Sequence, residues 1–237
     1  MLFVRVIKQD FMYQLTFMPR FFPVNCYVIE EKKDLTIIDT ALPYSWKRIL
    51  KICEGLKKPL KRIVLTHAHD DHVGSLDTLK KLHPDILVYI SKRDARLLEG
   101  DRSVDEHEPQ TPIKGGVPKN IQCRADVLLQ EGDGIGSLTA ISTPGHTPGS
   151  MSFLDSRNNS LIAGDAFQTW GGVAVSGTIN WMFPFPALAT WSKERALESA
   201  YKIQQIQPTV LAVGHGDLLH NPDNAIRQAI KREERSS

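Results

Sequence analysis

The feature that most constrains this chain is a run of metal-ligand side chains at residues 66–72, with the sequence THAHDDH. The run follows apolar residues 63–65 and precedes apolar residues at helical spacing, so we predict a turn between a strand and a helix. Side chains two positions apart on an extended backbone leave the same face. Imidazole and carboxylate groups without a nearby thiolate indicate zinc, manganese or iron. The candidate ligands of this run are His67, His69, Asp71 and His72.

Three further ligand-type residues stand singly at the ends of predicted strands. His146 lies between two Pro-Gly turns in TPGHTPG, Asp165 ends the run IAGD, and His215 lies in VGHG. In open α/β layers, binding sites gather at the carboxyl ends of the strands. We therefore predict that these three side chains meet the cluster near residue 70 and complete one metal centre.

Composition limits the class of protein and the kind of partner. The chain has 237 residues, of which 41% are hydrophobic, and we predict a single domain over residues 1–237. The 29 basic and 27 acidic side chains nearly balance, which does not favour a nucleic-acid partner. No stretch of about 18 apolar residues is present, so we expect no membrane span. Three widely spaced cysteines indicate reduced thiols and a cytoplasmic protein.

Hydrophobic periodicity predicts strands and helices that alternate in both halves of the chain. Strands are predicted at residues 4–7, 11–17, 26–29, 35–39, 62–65, 86–90, 127–130, 138–142, 150–154, 160–163 and 210–213. Helices are predicted at residues 46–56, 73–83, 92–98, 192–206 and 224–235, and residues 101–119 are predicted to form a long irregular loop. This alternation favours two βαβ-containing halves that pack as layers.

With these residues in this order, the chain resembles the metallo-β-lactamase-fold hydrolases, and the match runs from the Asp39 strand end to His215. The resemblance implies an α/β fold, the four-layer αββα sandwich, with two divalent metal ions at its edge. Zinc is the first expectation for these ions, with manganese or iron as alternatives. The resemblance assigns one metal to His67, His69 and His146, the other to Asp71, His72 and His215, and a bridging role to Asp165.

The resemblance also distinguishes branches within the family. Aspartate at position 165 and histidine at position 72 resemble the glyoxalase II and lactonase branch and not the true β-lactamases. Asp39 matches a family carboxylate that supports the histidine loop, and Ala41 stands where the family usually has glycine. Acyl-homoserine-lactone lactonases of this superfamily carry tyrosine three residues after the bridging aspartate, where this chain has Gln168.

A centre of this kind predicts hydrolysis of a small acyl substrate. Two close divalent ions lower the pKa of a shared water, which supplies a metal-bound hydroxide as the nucleophile at neutral pH. The ions also polarise the carbonyl group and stabilise the oxyanion. Asp71 is the candidate catalytic residue, because it can orient the hydroxide or pass its proton to the leaving group. We expect a small ester, thioester, lactone or related acyl compound as the substrate.

The aromatic residues between positions 167 and 191 are candidates for the wall of a substrate pocket. Aromatic side chains beside flexible glycines suit an apolar pocket, and they suit a cover over the sandwich or a homodimer contact equally well. The candidate substrate-binding residues are Phe21, Phe22, Gln168, Trp170, Trp181 and Phe183.

Two alternative functions on the same fold stay open at this point. A phosphodiesterase or RNA-processing nuclease would carry an RNA-gripping arm or an inserted domain, and the charge balance offers no basic groove. A mononuclear-iron oxygenase would leave the second metal site unused, whereas this chain keeps Asp71 and His215. We expect a small-molecule substrate with no nucleic-acid or membrane partner, and a homodimer stays open.

Overall fold

Two β-sheets form the centre of the structure, a computed structural model that describes residues 4–235. The larger sheet has seven strands in the order β1 to β7, of which β1 to β4 are antiparallel neighbours and β4 to β7 are parallel. These strands are β1 (Val4–Gln9), β2 (Met12–Phe17), β3 (Val24–Glu30), β4 (Leu35–Ile38), β5 (Leu60–Val64), β6 (Leu87–Ser91) and β7 (Val127–Leu129).

The second sheet has six strands in the order β15-β14-β11-β10-β9-β8, and β12 pairs with β13 in a separate ribbon. Only the β11–β14 pair of the six-stranded sheet is parallel. These strands are β8 (Gly134–Ile135), β9 (Leu138–Ser142), β10 (Met151–Asp155), β11 (Ser160–Ile162), β12 (Phe167–Gln168), β13 (Ala174–Val175), β14 (Val210–Ala212) and β15 (Leu219–His220).

Seven α-helices accompany the sheets within the described residues. They are α1 (Trp46–Leu56), α2 (Asp70–Val73), α3 (Leu76–Leu82), α4 (Lys92–Leu98), α5 (Phe185–Leu188), α6 (Lys193–Ile206) and α7 (Asp223–Glu234). Within residues 4–235, none of these helices combines the length and the apolarity needed to cross a bilayer.

Three apolar clusters define the layers. Side chains from both sheets, such as Ile38 and Phe153, are fully buried against one another and form the middle of the core. The amphipathic helix α1 buries Ile49 against the outer face of the larger sheet, together with α3 and α4. Helices α6 and α7 cover the outer face of the smaller sheet through residues such as Ile203 and Ile226. The order helix, sheet, sheet, helix confirms the predicted αββα sandwich.

The helix predicted over residues 73–83 begins later in the structure. It corresponds to α3, which begins at Leu76, while Val73 ends the separate short helix α2. The break between the two helices lies where Gly74 packs on residues 41–43, and its N–H donates to Ala41 O at 2.8 Å. A Cβ atom at Gly74 would lie 2.6 Å from that same oxygen. The close approach holds the ligand loop against the chain that follows β4.

Several short elements were not predicted. Strands β8, β12, β13 and β15 have two residues each, and helix α5 has four. Elements of this length carry too few residues for a hydrophobic period to be recognised. Three of them, β12, β13 and α5, lie between residues 167 and 191, the region of the aromatic candidates.

Candidate metal centre

The ends of four strands deliver the ligand-type side chains to one place. The loop with His67 and His69 follows β5, His146 follows β9, Asp165 follows β11, and His215 follows β14. Asp71 and His72 lie in the short helix α2. Six of these seven side chains are buried, and Asp71 is partly exposed to a cavity.

The seven side chains form three overlapping groups. Within each group, the ligand atoms lie within 4.8 Å of one another. The groups are His67, His69 and His146; His67, His72 and Asp165; and Asp71, His72 and His215. Asp165 is central, since its carboxylate oxygens lie 3.2 Å from His215 Nε2, 3.3 Å from His146 Nε2 and 3.5 Å from His72 Nε2. The structure therefore brings all seven sequence-predicted ligands together, although they span 149 positions from 67 to 215.

Hydrogen bonds on the outer side of three imidazoles fix which nitrogen faces inward. His72 Nδ1 lies 2.8 Å from Asp39 Oδ2, and His215 Nδ1 lies 2.7 Å from Pro23 O. His67 Nδ1 lies 3.0 Å from the hydroxyl of Thr66, whose proton is donated to Asp39. Each acceptor holds a proton on Nδ1, so Nε2 points into the cluster, as in metal-ligating histidines.

A chain of hydroxyl groups orients His146 in the same way. Its Nδ1 lies 3.1 Å from Ser176 Oγ, which lies 2.8 Å from Thr190 Oγ1, which in turn lies 2.7 Å from Pro186 O. A carbonyl oxygen can only accept, so Thr190 donates to Pro186, Ser176 donates to Thr190, and His146 donates to Ser176. The Nε2 lone pair of His146 is left facing the cluster.

His69 is oriented the other way round. Its position gives the clearest test of whether these residues fit a metal ion. Its Nε2 donates to Lys114 O at 3.1 Å, so its unprotonated Nδ1 faces the unprotonated Nε2 of His146 at 3.0 Å. Two lone pairs at this separation repel each other unless a proton or a cation lies between them. The neighbouring loop presses closely on the ring, because a Cβ atom at Gly115 would lie 2.5 Å from it.

Three buried polar atoms also indicate that a cation binds in the cluster. His67 Nε2, His72 Nε2 and Asp165 Oδ1 have no hydrogen-bond partner among the described residues. A buried polar atom without a partner costs about 1–3 kcal/mol, so such atoms usually have a ligand or a bound ion. A donor set of imidazole nitrogens and carboxylate oxygens suits divalent zinc, manganese or iron. The residues therefore fit metal ions.

The protonation states of His67, His69 and His146 also favour metal binding. Burial lowers the pKa of His67, His69 and His146, for His146 to about 3, so these imidazoles are neutral at pH 7. For Asp165, burial opposes ionisation, but His215 and His72 outweigh it and hold the pKa well below its usual range. For His72 and His215, burial opposes protonation, but Asp165 outweighs it and raises the pKa, so a metal ion competes with protons at these two imidazoles.

Asp39 supports the histidine loop as the family resemblance implies. Its Oδ1 accepts from Thr66 N and its Oδ2 accepts from the Thr66 hydroxyl, both at 2.8 Å. The same Oδ2 accepts from His72 Nδ1. Ala41, which replaces the usual glycine, has a φ of 51°, a left-handed conformation that glycine adopts at lower cost.

Asp94 is a second supporting carboxylate, and sequence reasoning missed it. This fully buried residue lies on α4, where its Oδ2 accepts from Ala68 N at 3.0 Å and from Thr147 Oγ1 at 2.7 Å. Its Oδ1 accepts from Gly149 N at 2.8 Å. Ala68 lies between two ligands, and Thr147 follows another, so one carboxylate ties two ligand loops together.

A cavity of about 410 Å³ opens onto the cluster. Five of the candidate ligands lie in its wall: His69, Asp71, His146, Asp165 and His215. The remaining lining includes the apolar side chains of Phe22, Phe185 and Leu188, and also Asp70, Gly115 and Gly116. The cavity thus gives a small molecule direct access to the cluster.

The candidate substrate residues lie in different places. Phe22 lines the cavity, and the buried ring of Phe183 packs 5.0 Å from it. Gln168 is buried, and its Nε2 donates to Phe183 O at 3.2 Å instead of reaching the cavity. Phe21, Trp170 and Trp181 lie outside the lining of this cavity, and the first and third are 81% and 88% exposed. Phe185, one of the aromatic residues between 167 and 191, lines the cavity, and so does Leu188, which was not a candidate.

Comparisons with known proteins agree with this arrangement. Residues 19–215 match the family model of the metallo-beta-lactamase superfamily. The chain is 58% identical over 229 residues to the uncharacterized protein YobT of Bacillus subtilis (strain 168), covering 97% of this chain and 98% of that protein. It is 31% identical over 160 residues to the hydroxyacylglutathione hydrolase GloC of Haemophilus influenzae, covering 64% of this chain and 70% of that protein.

Solved structures show the same fold at lower identity. A metallo-beta-lactamase from Pontibacter korlensis superposes with a TM-score of 0.74 at 16% identity, covering 98% of this chain and 99% of that one. The similarity to GloC agrees with the resemblance to the glyoxalase II branch. The family model, the fold and the convergence of the ligand residues lead to one conclusion: the chain belongs to the metallo-beta-lactamase superfamily.

Proposed function

We propose that this protein is a hydrolase that holds two divalent metal ions, zinc in the first place, and cleaves thioesters. The observation that carries the proposal is the set of three overlapping ligand groups within 4.8 Å, which contains inward-facing atoms without a protein partner. A single ion would leave part of this set unused. Two ions account for all seven side chains.

The two ions would be held by different parts of the cluster. His67, His69 and His146 would hold one, and Asp71, His72 and His215 would hold the other, with Asp165 between them. When bound, such ions lower the pKa of a water molecule and polarise a carbonyl group. The outer hydrogen bonds of Asp39, Pro23 and Ser176 keep the imidazoles in the orientation that this chemistry needs.

Asp71 is the residue best placed to move a proton. Burial opposes its ionisation, but His72 and His215 outweigh it and lower its pKa, so it is a carboxylate at neutral pH. It lines the cavity and lies 3.4 Å from His215 Nε2. In the reaction, water adds to the carbonyl carbon, the C–S bond breaks, and Asp71 carries a proton from the water towards the departing sulfur. The products are a carboxylic acid and a thiol.

Two observations favour a thioester over a lactone. The relative GloC is named a hydroxyacylglutathione hydrolase, and its substrate class is a thioester. At the position where lactonases of this superfamily carry tyrosine, Gln168 turns its amide to Phe183 O and offers no hydroxyl group to the cavity. A thioester also needs less help in departure than an amide, because a thiolate is a good leaving group.

A substrate panel tests the proposal. We expect zinc- or manganese-loaded protein to hydrolyse S-acetyl-N-acetylcysteamine, to act more slowly on γ-butyrolactone, and to leave bis(p-nitrophenyl) phosphate and dissolved oxygen unchanged. Asp71→Asn should lower kcat by about a hundredfold to ten-thousandfold, the range for loss of a positioned acid or base. As a matched control, Asp85→Asn changes an exposed carboxylate and should keep full activity.

Two results of the panel would contradict the proposal. Preferential turnover of the phosphodiester would indicate the phosphodiesterase or nuclease alternative. Oxygen consumption with glutathione persulfide, in protein that holds one iron ion, would indicate the oxygenase alternative.

A further inference from the structure

The apolar side of the cavity is built from three phenylalanine rings in mutual contact. The ring centroid of Phe22 lies 5.0 Å from that of Phe183 and 5.2 Å from that of Phe185. The centroids of Phe183 and Phe185 lie 5.3 Å apart. Phe22 and Phe183 also pack against the ring of His215, at 5.5 Å and 5.3 Å. The ring cluster therefore begins at a candidate metal ligand and extends outward along the cavity.

The outer end of this cluster is exposed although it is strongly apolar. Phe185 is 52% exposed and Leu188 is 62% exposed, and both line the same cavity as the ligands. We call the surface formed by Phe22, Phe185 and Leu188 the apolar wall. Large apolar side chains that stay exposed beside a catalytic cavity mark a surface that an apolar ligand covers.

Hydrogen bonds hold the backbone of the apolar wall in place. Helix α5 carries two of its three residues and begins after Pro184, and Leu188 N and Ala189 N donate to carbonyl oxygens one turn earlier at 3.1 Å and 3.0 Å. The Thr190 hydroxyl ties the Pro186 carbonyl to the chain that orients His146. A wall fixed before binding does not have to be ordered by the ligand, which preserves affinity.

Other residues of the cavity lining differ in chemistry from the apolar wall. They include Asp70, Gly115 and Gly116, and Arg102 donates to Gly115 O at 3.4 Å. The lining therefore offers both apolar and polar groups to an amphipathic molecule. The apolar part of such a molecule would lie on the apolar wall.

We infer, on the basis of the proposed thioester hydrolysis, that the acyl half of the substrate is a long or bulky apolar group that packs on Phe22, Phe185 and Leu188. The apolar wall is thus occupied by a hydrocarbon chain attached to the scissile carbonyl, and the thiol half of the substrate is polar. The apolar wall determines specificity and takes no part in bond breaking.

A series of thioesters with one thiol and increasing acyl length tests this inference. We expect kcat/KM with N-acetylcysteamine thioesters to rise about threefold for each methylene group between acetyl and octanoyl, close to the transfer value of a buried CH₂. The double substitution Phe185→Ala/Leu188→Ala should reduce the rise to less than 1.5-fold per methylene. The substituted side chains are exposed, so the fold should be kept.

A matched control and a second series separate this inference from others. Leu82→Ala/Leu128→Ala removes two side chains that are 48% and 49% exposed but lie outside the cavity lining, and it should keep the native dependence on acyl length. In acetyl thioesters with thiols of increasing alkyl length, kcat/KM should change little. A rise with thiol length but not with acyl length would overturn the inference.

Binding gives a readout that is independent of turnover. Calorimetry with decanoate, the product of a long acyl chain, should show a negative heat-capacity change that is lost in Phe185→Ala/Leu188→Ala, because apolar burial produces this signature. Hydrolysis of the acetyl thioester with no dependence on acyl length would overturn this inference and keep the proposed function. If no thioester is hydrolysed, both this inference and the proposed function are contradicted. A dimer that the double substitution dissociates would assign the apolar wall to a contact between copies and overturn the inference.

Discussion

Replacing Asp165 with alanine is expected to lower thioester turnover by more than about a hundredfold and to reduce the number of metal ions bound per chain. Asp165 lies within 3.5 Å of His72, His146 and His215, which belong to different ligand groups. Its carboxylate is the one buried negative charge that all three share within the described residues, and two divalent ions repel each other without it. The loss should exceed the tenfold to hundredfold cost of removing a residue that only supports a ligand.

Metal analysis and kinetics on the same Asp165→Ala preparation check this expectation. Elemental analysis gives the metal content, and circular dichroism verifies that the variant keeps the native fold. Asp165→Asn, which retains one oxygen, should fall between the native protein and the alanine variant. A variant with alanine at position 165 that binds two ions and keeps full activity would contradict the bridging role.

Replacing Asp94 with asparagine is expected to weaken zinc binding by about tenfold to a hundredfold, the range for groups that support metal ligands. The native carboxylate accepts from Ala68 N, Thr147 Oγ1 and Gly149 N. Asparagine has one acceptor oxygen, and its NH₂ group would face one of the two backbone N–H donors. Either the loop before His69 or the loop after His146 would therefore lose its anchor.

The stability of the metal-free Asp94 variant should change much less than its affinity for zinc. Burial is the largest influence on Asp94 and raises its pKa to about 6, in spite of the hydrogen bonds from Thr147, Ala68 and Gly149. An aspartate in an unfolded chain has a pKa of about 4, so the charged form costs about 3 kcal/mol in the folded state. Asparagine removes this cost but leaves a donor unpaired at about 1–3 kcal/mol, and the two effects nearly cancel.

The sign of the pH dependence follows from the same pKa. The folded-state value is raised, so between about pH 4 and pH 6 the folded protein binds more protons than the unfolded chain at Asp94. The contribution of this group to the free energy of unfolding therefore falls as the pH rises through that window, and the asparagine variant should lack this fall. Competition with a chromogenic chelator measures zinc affinity, and urea titrations at pH 4.5 and 6.5 measure stability.

A matched control distinguishes positioning from general disturbance. Asp77 also accepts from two backbone N–H groups, those of Gln122 and Cys123, but it touches neither ligand loop. Asp77→Asn should leave zinc affinity within about twofold. Equal losses of affinity in both variants would contradict the role assigned to Asp94.

The sequence predicted the ligand set because each member follows a clear strand. Strands β5, β9, β11 and β14 all end within four residues of a His or Asp of the cluster, and strand ends meet at one edge of a layered sheet. Asp94 could not be found this way, since its partners are backbone N–H groups that are remote in the chain. Its one local signal, the spacing Ser91-x-x-Asp94, is that of an ordinary helix start, and Ser91 does cap Asp94 N.

The apolar wall was harder to predict for a different reason. Aromatic content marked the region between 167 and 191, but the direction of each side chain depends on elements of two to four residues. Trp181 is exposed and lies outside the cavity lining, while Phe185, four residues later, lines the cavity. Leu188 gave no signal, because a single leucine is most often a core residue.

The most direct measurement is a zinc titration of the metal-free protein in which bound metal and thioester turnover are followed together. We expect two zinc ions to bind per chain, turnover to require both, and protons to be released on binding, because ligand imidazoles must be unprotonated. Saturation at one ion, or turnover that continues in metal-free protein, would contradict the account.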